Sequence, residues 1–197
     1  AQMTPDEAGA VVDEAHRMGK RVAAHAEGLA GIRLALKAGV DTIEHGLALH
    51  RDRSLLQIMA ERGTVLVPTL STFHDVAQTH AGKYPQVLVD QAKRQREEAY
   101  QTLVAARDAG VTLAMGFDSS PHGGNALELV RMVEGGLTPM QGIVAATSGG
   151  ATALGLSDAG RVSPGAIADL VVIDGDPVPV AGVTRDPSPL PSALPVS

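Results

Sequence analysis

The chain has 197 residues, 44% hydrophobic, 19% charged and 2% aromatic, with a formal net charge of -6. An acidic balance with acids and bases interspersed excludes nucleic acid and an anionic membrane as main partners. The absence of cysteine excludes disulfide frameworks, thiolate metal sites and thiol nucleophiles, so any metal must sit on His, Asp or Glu.

The length suits one medium domain, or a large piece with a small one. Phe73, Tyr84, Tyr100 and Phe117 are its aromatic residues, so Ala, Val, Leu and Ile must fill the core, which fits helix-on-sheet packing. No apolar run has membrane-spanning length and no signal-like segment opens the chain, giving a cytoplasmic expectation with any leader upstream of Ala1 left open. Thr4-Pro5-Asp6-Glu7 reads as a helix start, with Thr4 as N-cap and Glu7 as its capping-box partner. An opening this abrupt carries the expectation that residues precede Ala1.

From there a helix is predicted over 5–18, ending at Gly19 before a β-prone run over 21–25. The unit recurs. A helix at about 32–38 ends at Gly39 before 41–45, one at about 53–62 ends at Gly63 before 64–68, and a long one at about 86–109 ends at Gly110 before 111–117. Short, nearly continuous apolar runs between helices suit parallel strands buried on both faces, joined by right-handed crossovers. Beyond a loop over 119–124, helices are predicted at about 126–134 and 138–147, then a helical turn near 151–154. A strand is predicted over 168–173 with no helix behind it, and Pro187, Pro189, Pro191 and Pro195 mark an extended, disordered tail.

His25, His45 and Thr69 each lie six residues after a helix-ending glycine, and Asp118 lies eight after Gly110. All four therefore fall at or just past the C-terminal ends of successive strands, the edge where parallel α/β folds bind ligands. Two imidazoles there can share a borderline divalent ion such as zinc, if neighbouring acceptors hold them neutral and oriented. Asp118 could complete that set and take a proton from a metal-bound water. The alternative, two satisfied core histidines and a loop-capping aspartate, explains each residue singly but leaves their shared position unexplained. Glu27 and Glu44 are candidates for orienting the imidazoles; alternation points Glu44 away from His45, toward helices or a polar neighbour. His122, on the same rim as Asp118, is a candidate substrate contact. His16 reads as a surface or packing residue of the first helix, and His50, His74 and His80 read as solvated loop residues.

The runs Val22-Ala23-Ala24-His25-Ala26-Glu27-Gly28, Ala38-Gly39-Val40-Asp41-Thr42-Ile43-Glu44-His45-Gly46, Gly116-Phe117-Asp118 and Ala145-Ala146-Thr147 resemble the amidohydrolase superfamily. The nearer resemblance is to its imidazolonepropionase-related and Xaa-Pro dipeptidase-like branch, and Gly160 to Ile173 resembles that branch's return from barrel to small β-sandwich. The resemblance covers about residues 3 to 178. It implies an α/β fold, the C-terminal half of a (β/α)₈ barrel (strands five to eight) over 1–155, with a partial β-sandwich segment over 156–180 and the Pro-rich tail over 181–197.

It further implies one or two divalent metals, with zinc as the expected ion. His25 and His45 match the histidine ligands on strands five and six. Asp118 matches the strand-eight aspartate that binds metal and shuttles the proton. Thr69, Ser71 and His122 would line the substrate pocket. The family's first-strand His-x-His pair and fourth-strand lysine would lie before Ala1, so the chain is expected to be a fragment.

The implied activity is hydrolysis of a carbon–nitrogen bond in a small-molecule amide or dipeptide, Xaa-Pro dipeptidase-like. A cyclic amidohydrolase or deaminase of the imidazolonepropionase type is the same-class alternative. A non-catalytic half-barrel that pairs with a second copy or a separate N-terminal half is the different-class one, and either way the isolated chain is expected to be inactive.

Overall fold

The computed structural model describes residues 1–79, 81–119 and 123–176. Helix α1 (Pro5–Arg17) starts as the sequence dictates: the Thr4 side chain accepts from the Glu7 amide, and the Glu7 carboxylate accepts from the Thr4 amide at 2.7 Å. Strand β1 (Ala23–Ala26) follows, then α2 (Leu29–Ala38), β2 (Thr42–His45), a 3₁₀ turn at Leu49–Arg51, α3 (Arg53–Arg62) and β3 (Val65–Val67). Helix α2 begins three residues earlier than the periodicity suggests and stops at Gly39, whose φ of 91° is the left-handed geometry that glycine adopts without a Cβ clash.

The strands form one parallel sheet in the order β1-β2-β3, with Ala24 opposite Ile43 and Ile43 opposite Leu66. Ile43 and Leu66 point to the face covered by α2 and α3, where they pack with Ile32, Leu36, Leu56 and Met59. Each fully buried aliphatic side chain contributes roughly 1.5–3 kcal/mol there, and this is the main core. Alternation sends Thr42 and Glu44 to the opposite face, where they line a cavity of about 360 Å³ with Val67, Ala114 and Ala153.

The rest is helical: α4 (Leu70–His74) continuing into a π-helical turn at Asp75–Thr79, the long α5 (Gln86–Asp108), α6 (Leu127–Glu134), α7 (Pro139–Val144), a π-helical turn at Ala145–Gly149, and α8 (Gly150–Leu154). Helix α4 begins at Leu70, so His74 is helical rather than in a loop.

Two predicted strands come out differently. The 111–117 run makes a single parallel bridge, Leu66 to Leu113, with Leu66 N–H donating to Thr112 O and Ala114 N–H to Leu66 O, each at 2.9 Å. Its other side meets a helix: Met115 N–H donates to Ala145 O at 3.0 Å, and Gly149 packs so tightly that a Cβ there would stand 2.1 Å from the Leu113 carbonyl oxygen. The 168–173 run forms no strand, and Val171 and Val172 are 87% and 96% exposed: among the described residues no strand stands beside them to pair. The Pro-rich tail over 181–197 lies outside the described residues. Among the described residues no helix is long and apolar enough to cross a membrane.

Candidate active site at the strand ends

The strand ends carry an unusual backbone. Among the described residues, the non-glycine positions with positive φ are His45 (68°), Thr69 (48°) and Asp118 (40°). Each such residue costs about 1–3 kcal/mol and persists only where its surroundings enforce it; such residues cluster at functional sites. All three sit where a strand or strand-like segment gives way to the next turn.

The reversal at His45 has a direct effect on its side chain. Regular alternation would send it to the Ile43 face, against α2 and α3; instead its ring stands 4.5 Å from the His25 ring, edge-on at 72°. Gly46 makes the turn possible: its φ is also positive, and a Cβ would stand 2.7 Å from Leu49 and 2.8 Å from Leu66 side-chain atoms.

His45 is buried, and its Nδ1 lies 2.6 Å from Thr69 Oγ1. Burial, and then the neighbouring His25, push the His45 imidazole below its ordinary pKa, against the pull of Asp118 and Glu27. That favours the neutral ring a metal ligand needs. Glu44 shifts the other way: burial raises its pKa, the Thr42 hydroxyl donating at 2.6 Å opposes that, and the Asp118 charge adds to it. Of the two neighbours expected for Glu44, the structure selects the polar one, Thr42, on the face away from the helices.

Asp118 is held by α4, since Thr72 Oγ1 donates to its backbone carbonyl and lies 3.3 Å from its carboxylate. The next residue, Ser119, donates its hydroxyl to Asp75, which pairs with Arg131 at 2.9 Å. The structure therefore brings His25 and His45 ring to ring and places Asp118 within electrostatic reach of His45. It does not gather all three: among the described residues no group of three or more His, Asp or Glu side chains is close enough to hold a metal ion. The segment bearing Asp118 is tied to β3 by one bridge alone, so no ladder draws its far end in beside His45. The donor chemistry, two imidazoles on one face with the more buried one favoured neutral, fits two ligands of a borderline divalent ion.

Thr69 and Ser71 are both buried, and their hydroxyls lie against His45 and Glu128. His122 and His80 lie outside the described residues. His16 pairs with Asp41 at 2.9 Å on the surface. His50 is not a solvated loop residue, because its Nδ1 lies 2.9 Å from the Leu47 carbonyl and 3.1 Å from Thr102 Oγ1. Nor is His74, whose Nδ1 is buried with no hydrogen-bond partner among the described residues. A cavity of about 500 Å³ opens along β1, α1 and α2 with His25 and Glu27 in its lining, but neither His45 nor Asp118 reaches it.

Glu128, Arg131 and Asp75 escape a reading from sequence. The one available signal is a carboxylate in the interior of an apolar-rich helix, Leu127-Glu128-Leu129-Val130-Arg131-Met132-Val133. Fully buried, Glu128 accepts from the Leu70 and Ser71 amides and the Ser71 hydroxyl; burial outweighs these donors and the nearby Arg131, raising its pKa to about 7.

The chain belongs to the amidohydrolase family, whose pattern matches residues 1–193. The family is generally metal-dependent. Ochratoxinase of Aspergillus niger is 32% identical over 190 residues, covering 95% of this chain and 39% of that protein. Imidazolonepropionase of Paracoccus denitrificans is 31% identical over 179 residues, covering 87% and 40%. Among solved structures, a Xaa-Pro dipeptidase with bound methionine superposes with a TM-score of 0.81 at 37% identity, covering 90% of this chain and 44% of that one. The A. niger ochratoxinase structure superposes with a TM-score of 0.82 at 31% identity, covering 90% and 41%. This chain thus spans about two fifths of the length of the curated relatives it matches.

Proposed function

We propose that this chain supplies strands five to eight of a metal-dependent amidohydrolase barrel that cleaves a carbon–nitrogen bond in a small amide or dipeptide, with an Xaa-Pro dipeptide as the leading substrate class. One observation supports the reading: left-handed backbone at the ends of β2, β3 and the 111–117 segment, with the His45 ring turned to 4.5 Å from the His25 ring. His25 and His45 would hold a divalent ion, with zinc the expected one. When bound, the ion would polarise the scissile carbonyl and acidify a water. Asp118 accepts the proton from the attacking water and returns it to the leaving nitrogen. The left-handed turn at Asp118 and the Thr72 hydroxyl on its carbonyl hold its carboxylate ready for that transfer. Thr69 orients His45.

The likeness to a solved Xaa-Pro dipeptidase supports the dipeptide reading. Likeness to imidazolonepropionase supports a second one, opening of a cyclic amide at the same edge. On its own the chain presents an open half-site, which loses ligand geometry and exclusion of water together, so weak zinc binding and negligible turnover are expected.

The test uses the 197-residue chain beside a barrel completed with the first four strand–helix units of the Xaa-Pro dipeptidase relative. Both are titrated with zinc and assayed on Xaa-Pro dipeptides, N-acyl amino acids and cyclic amides. Hydrolysis by the completed barrel, reduced about 10²–10⁴-fold by Asp118→Asn, is the expected result. No hydrolysis of any of these by a folded, zinc-loaded barrel would overturn the activity. Brisk turnover by the chain alone would overturn the half-barrel.

A further inference from the structure

Helix α6 turns its charged side inward. Leu127 and Val130 are 42% and 38% exposed, whereas Glu128 and Arg131 are buried. A buried carboxylate is costly unless its hydrogen bonds are well made, so what Glu128 touches is informative. Its Oε1 accepts from the Leu70 amide at 2.7 Å, and its Oε2 accepts from the Ser71 amide at 2.8 Å and the Ser71 hydroxyl at 2.6 Å. Leu70 and Ser71 directly follow Thr69, whose left-handed backbone its own β-branched side chain disfavours. With the next two amides clamped, relaxing Thr69 to an extended geometry works against these three bonds. Thr69 Oγ1 then stays 2.6 Å from His45 Nδ1.

We infer that Glu128 is a positioning residue for His45: by clamping Leu70 and Ser71 it holds Thr69 where its hydroxyl oxygen accepts the His45 Nδ1–H, leaving the Nε2 lone pair free. This rests on the reading of His45 as a metal ligand through Nε2, but the tautomer is a property of the metal-free chain and is measured there. A ring whose Nδ1–H is engaged keeps one tautomer and one orientation, which is what a ligand imidazole requires.

The experiment is imidazole ¹H–¹⁵N correlation spectroscopy of the 197-residue chain without metal at about pH 8, where the Glu128 carboxyl is ionised. Wild type and Thr69→Ser should show His45 protonated on Nδ1. Thr69→Val should lose that preference, and Glu128→Gln should shift the His45 population toward the Nε2–H tautomer, while the His16 signals stay put. A folded Glu128→Gln protein with an unchanged His45 tautomer would overturn the inference, as would an unchanged tautomer in Thr69→Val. Should Glu128→Gln fail to fold by circular dichroism, Ser71→Ala, which removes one donor and keeps the carboxylate, decides the matter: a weakened preference supports the clamp and an unchanged one overturns it. If the completed barrel fails to bind zinc while the tautomers of the 197-residue chain behave as expected, the metal reading falls and the clamp stands.

Discussion

Two β-prone stretches of this chain meet opposite fates. The run at β2, Asp41-Thr42-Ile43-Glu44-His45, becomes the middle strand of a parallel sheet; the more apolar Ala168-Asp169-Leu170-Val171-Val172-Ile173 takes no regular structure and stays exposed. The difference lies in the neighbours, since β2 is flanked by β1 and β3 and backed by α2 and α3, whereas the later stretch has no strand beside it among the described residues. Between the extremes lies 111–117, which has a partner on one side at a single bridge and a helix on the other. A strand is a property of a pair, and residue preference only supplies a candidate for pairing.

Substitutions test this contrast. The largest effect is expected at Leu66→Ala: Leu66 is fully buried and pairs with both β2 and Leu113, so the cost should be about 4 kcal/mol by urea denaturation. A cost under about 1 kcal/mol would mean that the sheet is not the core's anchor. Next is Gly149→Ala, whose added methyl meets the Leu113 carbonyl; a loss of about 3 kcal/mol is expected, at the upper end for overpacking. Full tolerance there would show that the helix does not stand in for the strand neighbour.

A third effect depends on pH. The folded pKa of Glu128 lies above its unfolded value, so its stabilising contribution is complete below about 4.5 and is lost as pH rises through about 7. Wild type should therefore lose stability relative to Glu128→Gln between about pH 5 and pH 8, by on the order of 2 kcal/mol. Parallel melting curves for the two proteins across that range would contradict it. The smallest effect is expected at Val172→Ser, within about 0.5 kcal/mol, because a side chain this exposed gives up almost no burial. A larger loss would show that the stretch is covered in solution.

The parallel sheet and the placing of His25, His45 and Thr69 at or just past its strand ends are legible in the sequence, because helix-ending glycines recur at a constant distance before them. The helix-periodic stretches of α1, α3 and α5 are legible for the same reason, being bounded by caps and glycines. What stays hidden depends on contacts between residues distant in the chain. Alternation alone sends His45 to the helix face, and only its left-handed turn reverses it. The buried face of α6 holds Glu128 and Arg131 beside Met132 while Leu127 and Val130 look outward, so hydrophobic periodicity misplaces the two charged residues. Thr69 and Ser71 sit where a rim was expected, yet their hydroxyls serve His45 and Glu128.

The clamp from Glu128 to Leu70 and Ser71 closes a long loop, 58 and 57 residues in sequence, whereas β1, β2 and β3 follow one another through single helices. Contacts of such different range should not form together, because the long closure takes the larger entropy loss before it returns any stabilisation. The sheet is then expected to be in place at the folding barrier and the clamp to close after it. Ser71→Ala should accordingly speed unfolding and leave refolding nearly unchanged in stopped-flow kinetics, whereas Leu66→Ala should slow refolding. On that sequence of events, the His25 and His45 strands are laid down early, and the orientation of the His45 ring is among the last features of the molecule to be set.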